Sequence, residues 1–72
     1  MKKVFKIEDL DCAHCAGLIE DGIRKIKGVK SANLNFLAQK LTIEADDDIF
    51  DEVVRKAVRV ADRVEPDASI IL

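Results

Sequence analysis

The spacing of apolar residues changes repeatedly along this chain, and the order of those changes constrains its fold more than any other feature. Alternate residues are apolar in the segments 3–10, 29–36 and 40–45. This period of two predicts half-buried strands. Apolar residues recur every three or four positions in the segments 13–27 and 49–61. That spacing indicates amphipathic helices. The stretch 64–72 is predicted to be a last strand, with Pro66 favouring an edge position or an irregular start.

The resulting order is strand, helix, strand, strand, helix, strand. Gly28 stands where a left-handed residue belongs after a helix, and the acidic residues 46–48 suit the N-cap and first turn of the second helix. This order is typical of the ferredoxin-like α+β fold, a βαββαβ sandwich in which two helices cover one face of a four-stranded antiparallel sheet. The 72 residues have the length of one domain, which we expect to span 1–72.

The composition excludes several classes of function. The 12 basic and 14 acidic side chains give a net charge of −2, so the basic surface of a nucleic-acid binder is absent. The aromatic residues are three phenylalanines, too few for base stacking. No apolar run reaches the roughly 18–20 residues of a membrane-spanning helix, and the first ten residues lack the apolar core of a signal peptide. We therefore expect a cytoplasmic protein with no nucleic-acid partner and no direct membrane contact.

Cys12 and Cys15, spaced C-x-x-C, carry most of the reactive chemistry of the chain. They fall between the first strand and the first helix, where free backbone N–H groups and the positive end of the helix dipole favour the thiolate. In a reducing compartment such a pair indicates metal binding or thiol redox chemistry rather than a structural disulfide. Thiolates select soft cations. Because the chain has no second ligand pair for a closed zinc site, we expect an open, exchangeable site.

The cysteine motif and two later features together resemble the heavy-metal-associated domain. They are the sequences LDCAHCA at 10–16, KGV at 27–29 and ANLNF at 32–36. Over essentially the whole chain, this resemblance implies a ferredoxin-like fold with Cys12 and Cys15 as metal ligands. Such domains are soluble metallochaperones or cytosolic N-terminal domains of metal-exporting P-type ATPases. Leu10 replaces a methionine that the family tucks under the loop, which conserves size. Asp9 replaces a glycine, and this change can alter the loop backbone because Asp tolerates unusual φ angles less freely.

Asp11 influences the choice of metal. In the family, zinc, cadmium and lead exporters often have Asp before the first cysteine, whereas copper chaperones tend to have a small neutral residue. Cu(I) with two thiolates and a carboxylate sums to a charge of minus two, while a divalent ion with the same ligands sums to minus one. Zn(II) accepts a carboxylate oxygen beside two thiolates. We therefore favour Zn(II), Cd(II) or Pb(II) over Cu(I), with Asp11 as a ligand. Asp11 can otherwise cap the helix or face solvent.

Other polar residues have less specific interpretations. His14 can ligate Zn(II) or, when protonated, stabilise thiolates, but residues inside a C-x-x-C loop generally point outward. Arg63 lies where the family often brings a Lys or an aromatic residue close to the metal, and it either offsets the anionic site or stays on the solvated surface. The acidic residues 46–48, 51 and 52 lack the spacing of a calcium loop and are interpreted as charge at a helix N-terminus.

The sequence thus predicts a metal-binding module, not an enzyme by itself, that takes one soft ion through Cys12, Cys15 and Asp11. The module passes the ion on by thiolate exchange as a cytosolic domain of a Zn/Cd/Pb-transporting P-type ATPase, or docked to one, and acts as a monomer. A free Cu(I) metallochaperone is the first alternative. A dithiol redox protein is the second, since C-x-x-C at a helix start also serves thioredoxin-like proteins.

Overall fold

The secondary structure follows the predicted order of strands and helices. The computed structural model describes residues 1–72. The strands are β1 (Lys2–Glu8), β2 (Val29–Asn35), β3 (Lys40–Ala45) and β4 (Ser69–Ile71), and the helices are α1 (Ala13–Arg24) and α2 (Phe50–Val64). A 3₁₀ turn, Asp47–Ile49, leads into α2. None of the helices combines the length and the apolar character needed to cross a membrane.

The strands form one four-stranded antiparallel sheet in the order β2-β3-β1-β4. β1 pairs with β3 so that Phe5 lies opposite Leu41, and with β4 so that Ile7 lies opposite Ile70. β2 and β3 form a hairpin in which Leu34 lies opposite Leu41. This topology confirms the predicted ferredoxin-like fold. It places β1 between β3 and β4 in the sheet.

The hydrophobic core lies between the sheet and the two helices. Alternate residues of the strands face it, because successive side chains point to opposite sides of a sheet. Each helix contributes to the core the apolar side chains that recur every three or four residues along it. The largest fully buried side chains are Ile7, Ile19, Ile23, Leu41, Ile43 and Val53. No polar or charged side chain is buried, and residues such as Lys6 project from the uncovered face of the sheet.

The end of α2 differs from the prediction. The sequence predicts a strand over 64–72, but α2 continues through Val64 and β4 is confined to three residues. The helical spacing of apolar residues extends to Val64, and the backbone N–H of Glu65 donates to the carbonyl of Ala61 at 2.8 Å. Pro66 has no N–H to continue the helix or join a ladder. The chain therefore turns before it can pair with β1.

The end of α1 also differs slightly from the prediction. The apolar spacing predicts a helix to residue 27, whereas α1 ends at Arg24. Beyond it the backbone tightens, and the N–H of Ile26 donates to the carbonyl of Ile23 at 3.0 Å, three residues back. Gly28 follows with φ of 97°. It therefore has the left-handed conformation that the sequence predicts.

The acidic residues before α2 act through charge rather than through a cap. Asp46 precedes the 3₁₀ turn but makes no side-chain cap hydrogen bond. Its carboxylate instead pairs with Lys30 at 3.0 Å. Asp47 and Asp48 lie in the first turn, where negative charge favourably meets the positive end of the helix dipole. All three aspartates are solvent exposed.

Candidate metal centre

Cys12 caps the N-terminus of α1. Its backbone is extended, with φ −114° and ψ 114°, and its Sγ accepts a hydrogen bond from the backbone N–H of Cys15 at 3.2 Å. The carbonyl of Cys12 accepts the next bond, from the N–H of Ala16 at 3.0 Å. A thiol therefore occupies the position that Ser, Thr or Asp usually fills. Negative charge is favoured there by the free N–H groups and the dipole of the helix.

The two thiols have unequal acidity. Hydrogen bonds from the side chain and backbone of Cys15 lower the pKa of the Cys12 thiol below its ordinary value. The same side-chain hydrogen bond raises the pKa of Cys15 to about 11, and desolvation and the charges of Cys12 and Glu65 act in the same direction. Both cysteines are unpaired and partly exposed. The metal-free pair is thus arranged to hold its negative charge on Cys12 and its proton on Cys15.

The sequence interpretation misses a carboxylate that lies beside the thiols. Glu65 Oε2 is 3.9 Å from the Sγ of Cys15, a long contact in which the thiol is the donor. Glu65 directly follows α2 and is partly buried. The longer helix brings this side chain toward the N-terminus of α1. The only sequence signal is a carboxylate before Pro66. Because the sequence predicts a strand over 64–72, it gives no indication that this carboxylate lies at the end of a helix beside the thiols.

The other candidate side chains are solvent exposed. They are Asp11, His14 and Arg63. Cys12, not Asp11, supplies the side-chain cap of α1, so the capping interpretation of Asp11 is wrong. No three side chains among His, Cys, Asp and Glu are gathered where they could hold one metal ion. Any third donor would therefore have to move toward the two sulfurs to reach an ion bound there.

Leu10 and Asp9 shape the start of the loop. The Leu10 side chain is 2% exposed and belongs to the core, as expected of a hydrophobic residue tucked under the loop. Asp9 has φ of 60°, a left-handed conformation that glycine adopts without strain. Asp is among the other residues that enter this region most often. The loop therefore makes a left-handed turn at Asp9 even without a glycine.

This chain is similar to short segments of metal-transporting ATPases. The cadmium, zinc and cobalt-transporting ATPase of Bacillus subtilis (strain 168) is 31% identical over 70 residues, which are 97% of this chain and 10% of that protein. The zinc/cadmium/lead-transporting P-type ATPase of Escherichia coli (strain K12) is 38% identical over 45 residues, which are 62% of this chain and 6% of that protein. This chain thus spans a tenth or less of the length of these curated relatives.

A solved structure and a family model extend the comparison. The Cu(I)-loaded N-terminal domain of a potential copper-translocating P-type ATPase from Bacillus subtilis is 30% identical, with a TM-score of 0.74, and the match covers 96% of this chain and 84% of that one. The family model described as "Heavy-metal-associated domain" matches residues 4–62, a range that includes both cysteines. The chain belongs to the heavy-metal-associated domain family.

Proposed function

We propose that this domain binds one soft divalent ion, Zn(II), Cd(II) or Pb(II), through Cys12 and Cys15 and passes the ion on by thiolate exchange. One observation carries the proposal: the Cys12 sulfur lies 3.2 Å from the backbone N–H of Cys15, so both soft ligands meet at one helix end. Thiolates select soft cations over Mg²⁺ or Ca²⁺. Both cysteines are partly exposed, which lets an incoming ligand reach the ion.

Two carboxylates favour a divalent ion. Glu65 is 3.9 Å from the Cys15 sulfur, and Asp11 is exposed next to Cys12. We assign Asp11 as a third ligand and Glu65 as a fourth that exchanges readily, so that the site stays open to a partner while two sulfurs and two oxygens suit four-coordinate Zn(II). The charge of a divalent ion balances the two thiolates, whereas Cu(I) leaves one negative charge beside these carboxylates. The negative charge of the site therefore disfavours binding of Cu(I) relative to Zn(II).

Transfer of the ion follows from the unequal thiols. A thiolate of the partner adds to the ion while one sulfur of this domain leaves, and no covalent bond of a substrate is broken. We expect Cys15 to leave first, because once the ion has gone the hydrogen bond with Cys12 raises the pKa of Cys15 to about 11, so that Cys15 is the sulfur that ends protonated. Cys12 stays anionic longer, since hydrogen bonds lower its pKa. The domain thus holds the departing ion by Cys12 last.

The setting we propose is the cytosolic side of a metal-transporting P-type ATPase, of which this domain is a part or to which it docks as a monomer. Support comes from the two curated relatives, whose names describe transport of cadmium and zinc. The domain itself contributes metal binding rather than catalysis. A native gene product that continues into membrane-spanning ATPase segments supports the attached arrangement, and a gene for this domain alone supports docking.

Cu(I) binding, as a free metallochaperone, is the second candidate function. The observation in favour of Cu(I) as the ion is the 30% identity and TM-score of 0.74 to an ATPase N-terminal domain that was solved with Cu(I) bound. Cu(I) needs only two thiolates, and Cys12 and Cys15 supply them without help from a carboxylate. The two functions therefore differ in whether Asp11 and Glu65 contribute to affinity.

Anaerobic titration of the reduced protein with Zn(II), Cd(II), Pb(II) and Cu(I) tests the proposal. We expect Asp11→Ala and Glu65→Ala each to weaken Zn(II) binding about tenfold or more, the scale at which changes around a metal site usually act, and to leave Cu(I) affinity unchanged. Asp62→Asn is the matched control, because Asp62 is an exposed carboxylate on α2 without a place in the proposed site. It removes the same charge and should leave all affinities unchanged.

Four outcomes would count against all or part of this proposal. Equal Zn(II) affinity in Asp11→Ala removes Asp11 from the site, and the same result in Glu65→Ala removes Glu65. Metal binding that survives Cys12→Ser with Cys15→Ser contradicts the whole proposal. Rapid turnover in a disulfide-exchange assay, without tight metal binding, favours the dithiol redox alternative instead.

A further inference from the structure

Gln39, in the turn between β2 and β3, joins that hairpin to the loop that carries the thiols. Its Oε1 accepts a hydrogen bond from the backbone N–H of Leu10 at 3.3 Å, and its Nε2 donates to the carbonyl of Leu10 at 2.9 Å. Nε2 also donates to the carbonyl of Phe36 at 2.8 Å. The backbone carbonyl of Gln39 accepts from the N–H of Ile7 at 2.9 Å. Gln39 thus forms hydrogen bonds with β1, with its own hairpin and with the start of the loop 9–12, which we call the thiol loop.

The peptide groups of Leu10 depend on this amide. Leu10 as a whole residue is 2% exposed, and buried backbone N–H and C=O groups require partners. The pairing of β1 with its neighbours ends at Glu8, two residues earlier, so no strand ladder reaches Leu10. A primary amide carries an acceptor and two donors on one planar group. It can therefore satisfy both the N–H and the C=O of a single residue, as Gln39 does here.

Backbone strain is concentrated around the same contact. Asp9 has φ of 60° and Gln39 has φ of 54°, and they are the only non-glycine residues of the chain with positive φ. Such conformations persist where the surrounding contacts hold them in place. At this point the holding contacts are the hydrogen bonds between Gln39 and Leu10. The two strained residues and the side-chain amide of Gln39 therefore all lie where β1 ends and the thiol loop begins.

We propose that Gln39 is a positioning residue for the metal centre. By fixing both peptide groups of Leu10, it sets the direction in which the chain runs from β1 to Asp11 and Cys12. This inference rests on the proposed function, in which the thiols bind metal. A loop that is already ordered loses less conformational freedom when the ion binds. Groups that orient metal ligands without touching the metal typically change affinity about 10–100-fold.

The test compares Gln39→Met and Gln39→Gly with the wild type. Met keeps the side-chain length without polar atoms, and Gly removes the side chain while relaxing the left-handed backbone. Cd(II) affinity is measured from the thiolate-to-Cd(II) absorption band at a temperature where circular dichroism shows every variant folded. Amide exchange of the Leu10 N–H is followed in parallel. We expect both variants to bind Cd(II) about tenfold more weakly and to exchange the Leu10 amide faster.

The matched control is Asn35→Ala. Asn35 Oδ1 accepts from the N–H of Ala38 at 3.0 Å, so this change disturbs the same hairpin without touching Leu10. It should lower stability while leaving the Cd(II) affinity of the folded protein unchanged. If Gln39→Met does not fold, Gln39→Gly decides the question, because it removes the amide together with the backbone constraint.

The outcomes separate this inference from the proposed function. Wild-type affinity in folded Gln39→Met or Gln39→Gly, even with faster exchange at Leu10, overturns the positioning role and leaves Gln39 as a hairpin residue only. The absence of any thiolate-to-Cd(II) band in the wild type overturns the proposed function, and the inference with it. Weaker binding in Asn35→Ala as well as in the Gln39 variants also overturns the inference, since general hairpin damage then accounts for the effect.

Discussion

The thiols of Cys12 and Cys15 differ because one hydrogen bond acts on them in opposite directions. It favours the charged form of Cys12, whose pKa is lowered, and the neutral form of Cys15, whose pKa rises to about 11. As the pH rises, Cys12 therefore becomes a thiolate first, while Cys15 is still a thiol. Because the thiolate is the nucleophile, iodoacetamide should modify Cys12 of the metal-free protein first. Peptide mapping by mass spectrometry measures the order.

Two variants check the cause of this difference. Cys12→Ser removes the thiolate that is the main cause of the raised pKa of Cys15, so the remaining thiol should ionise at lower pH, as seen in the ultraviolet absorbance of the thiolate. Glu65→Gln removes a smaller contribution and should shift the pKa of Cys15 downward by less. Equal alkylation of both cysteines in the wild type would contradict the proposed asymmetry.

Single residues of the site are predictable from sequence where their role is local. Cys12 and Cys15 are recognised because only two residues separate them at a helix start, and Leu10 because it is an apolar residue two positions before Cys12. Glu65 and Gln39 reach the loop from 50 and 29 residues away. Their contacts depend on where α2 ends and on how the hairpin folds against β1. Neither of these facts is encoded in the motif itself.

Helix α1 packs closely against α2 at Gly22, and this contact predicts opposite effects for two alanine substitutions. A Cβ at Gly22 would lie 2.7 Å from Val60 Cγ1, whereas a Cβ at Gly17 on the same helix meets nothing within 4 Å. Gly17→Ala should raise the free energy of unfolding by about 1 kcal/mol through helix propensity. Gly22→Ala should lower it, because overpacking costs about 1–3 kcal/mol and the β-branched Val60 cannot easily rotate away. Urea denaturation of the metal-free proteins measures both.

A double mutant separates the clash from other effects of the substitution. In Gly22→Ala with Val60→Ala, the new methyl group occupies space that the removed Val60 methyl groups vacate. The combined loss of stability should therefore be smaller than the sum of the two single losses, with a coupling within the 0.5–3 kcal/mol seen for residues in contact. Strictly additive losses would show that Val60 is not what excludes a side chain at Gly22.

The order of the elements can be predicted from the sequence because periods of two and of three to four residues differ clearly over segments of six or more residues. Their ends are less readable. Val64 fits the last turn of a helix and the first position of a strand equally well, and the alternation of a three-residue strand such as β4 is too short to decide. Tertiary contacts decide instead, because Ala61 and Ala68 are each 1% exposed in the core at either side of the turn.

At the scale of the whole molecule, the core is small and entirely apolar. It contains 16 of the 72 residues, and for domains of this size hydrophobic burial and the entropy of chain ordering nearly cancel. The thiol loop is attached to this core through Leu10, and β1 ends and α1 begins at the loop. A ligand that bridges Cys12 and Cys15 therefore restrains the connection between β1 and α1, and both of these elements contribute to the core.

Metal binding should consequently stabilise the entire domain. An ion that binds only the folded chain adds about 2.7 kcal/mol when its free concentration is about a hundred times the Kd. In domains of 60–100 residues each kcal/mol raises the Tm by about 4–8 °C, so Zn(II) or Cd(II) in that excess should raise the Tm by about 10–20 °C. Differential scanning calorimetry of the reduced protein, with and without metal, measures the shift.

The double variant Cys12→Ser with Cys15→Ser should abolish this shift in Tm, while Asp62→Asn should keep it. A Tm that is unchanged at saturating metal would mean that the ion binds the unfolded thiols as tightly as the folded loop, and that the helix N-terminus contributes nothing to affinity.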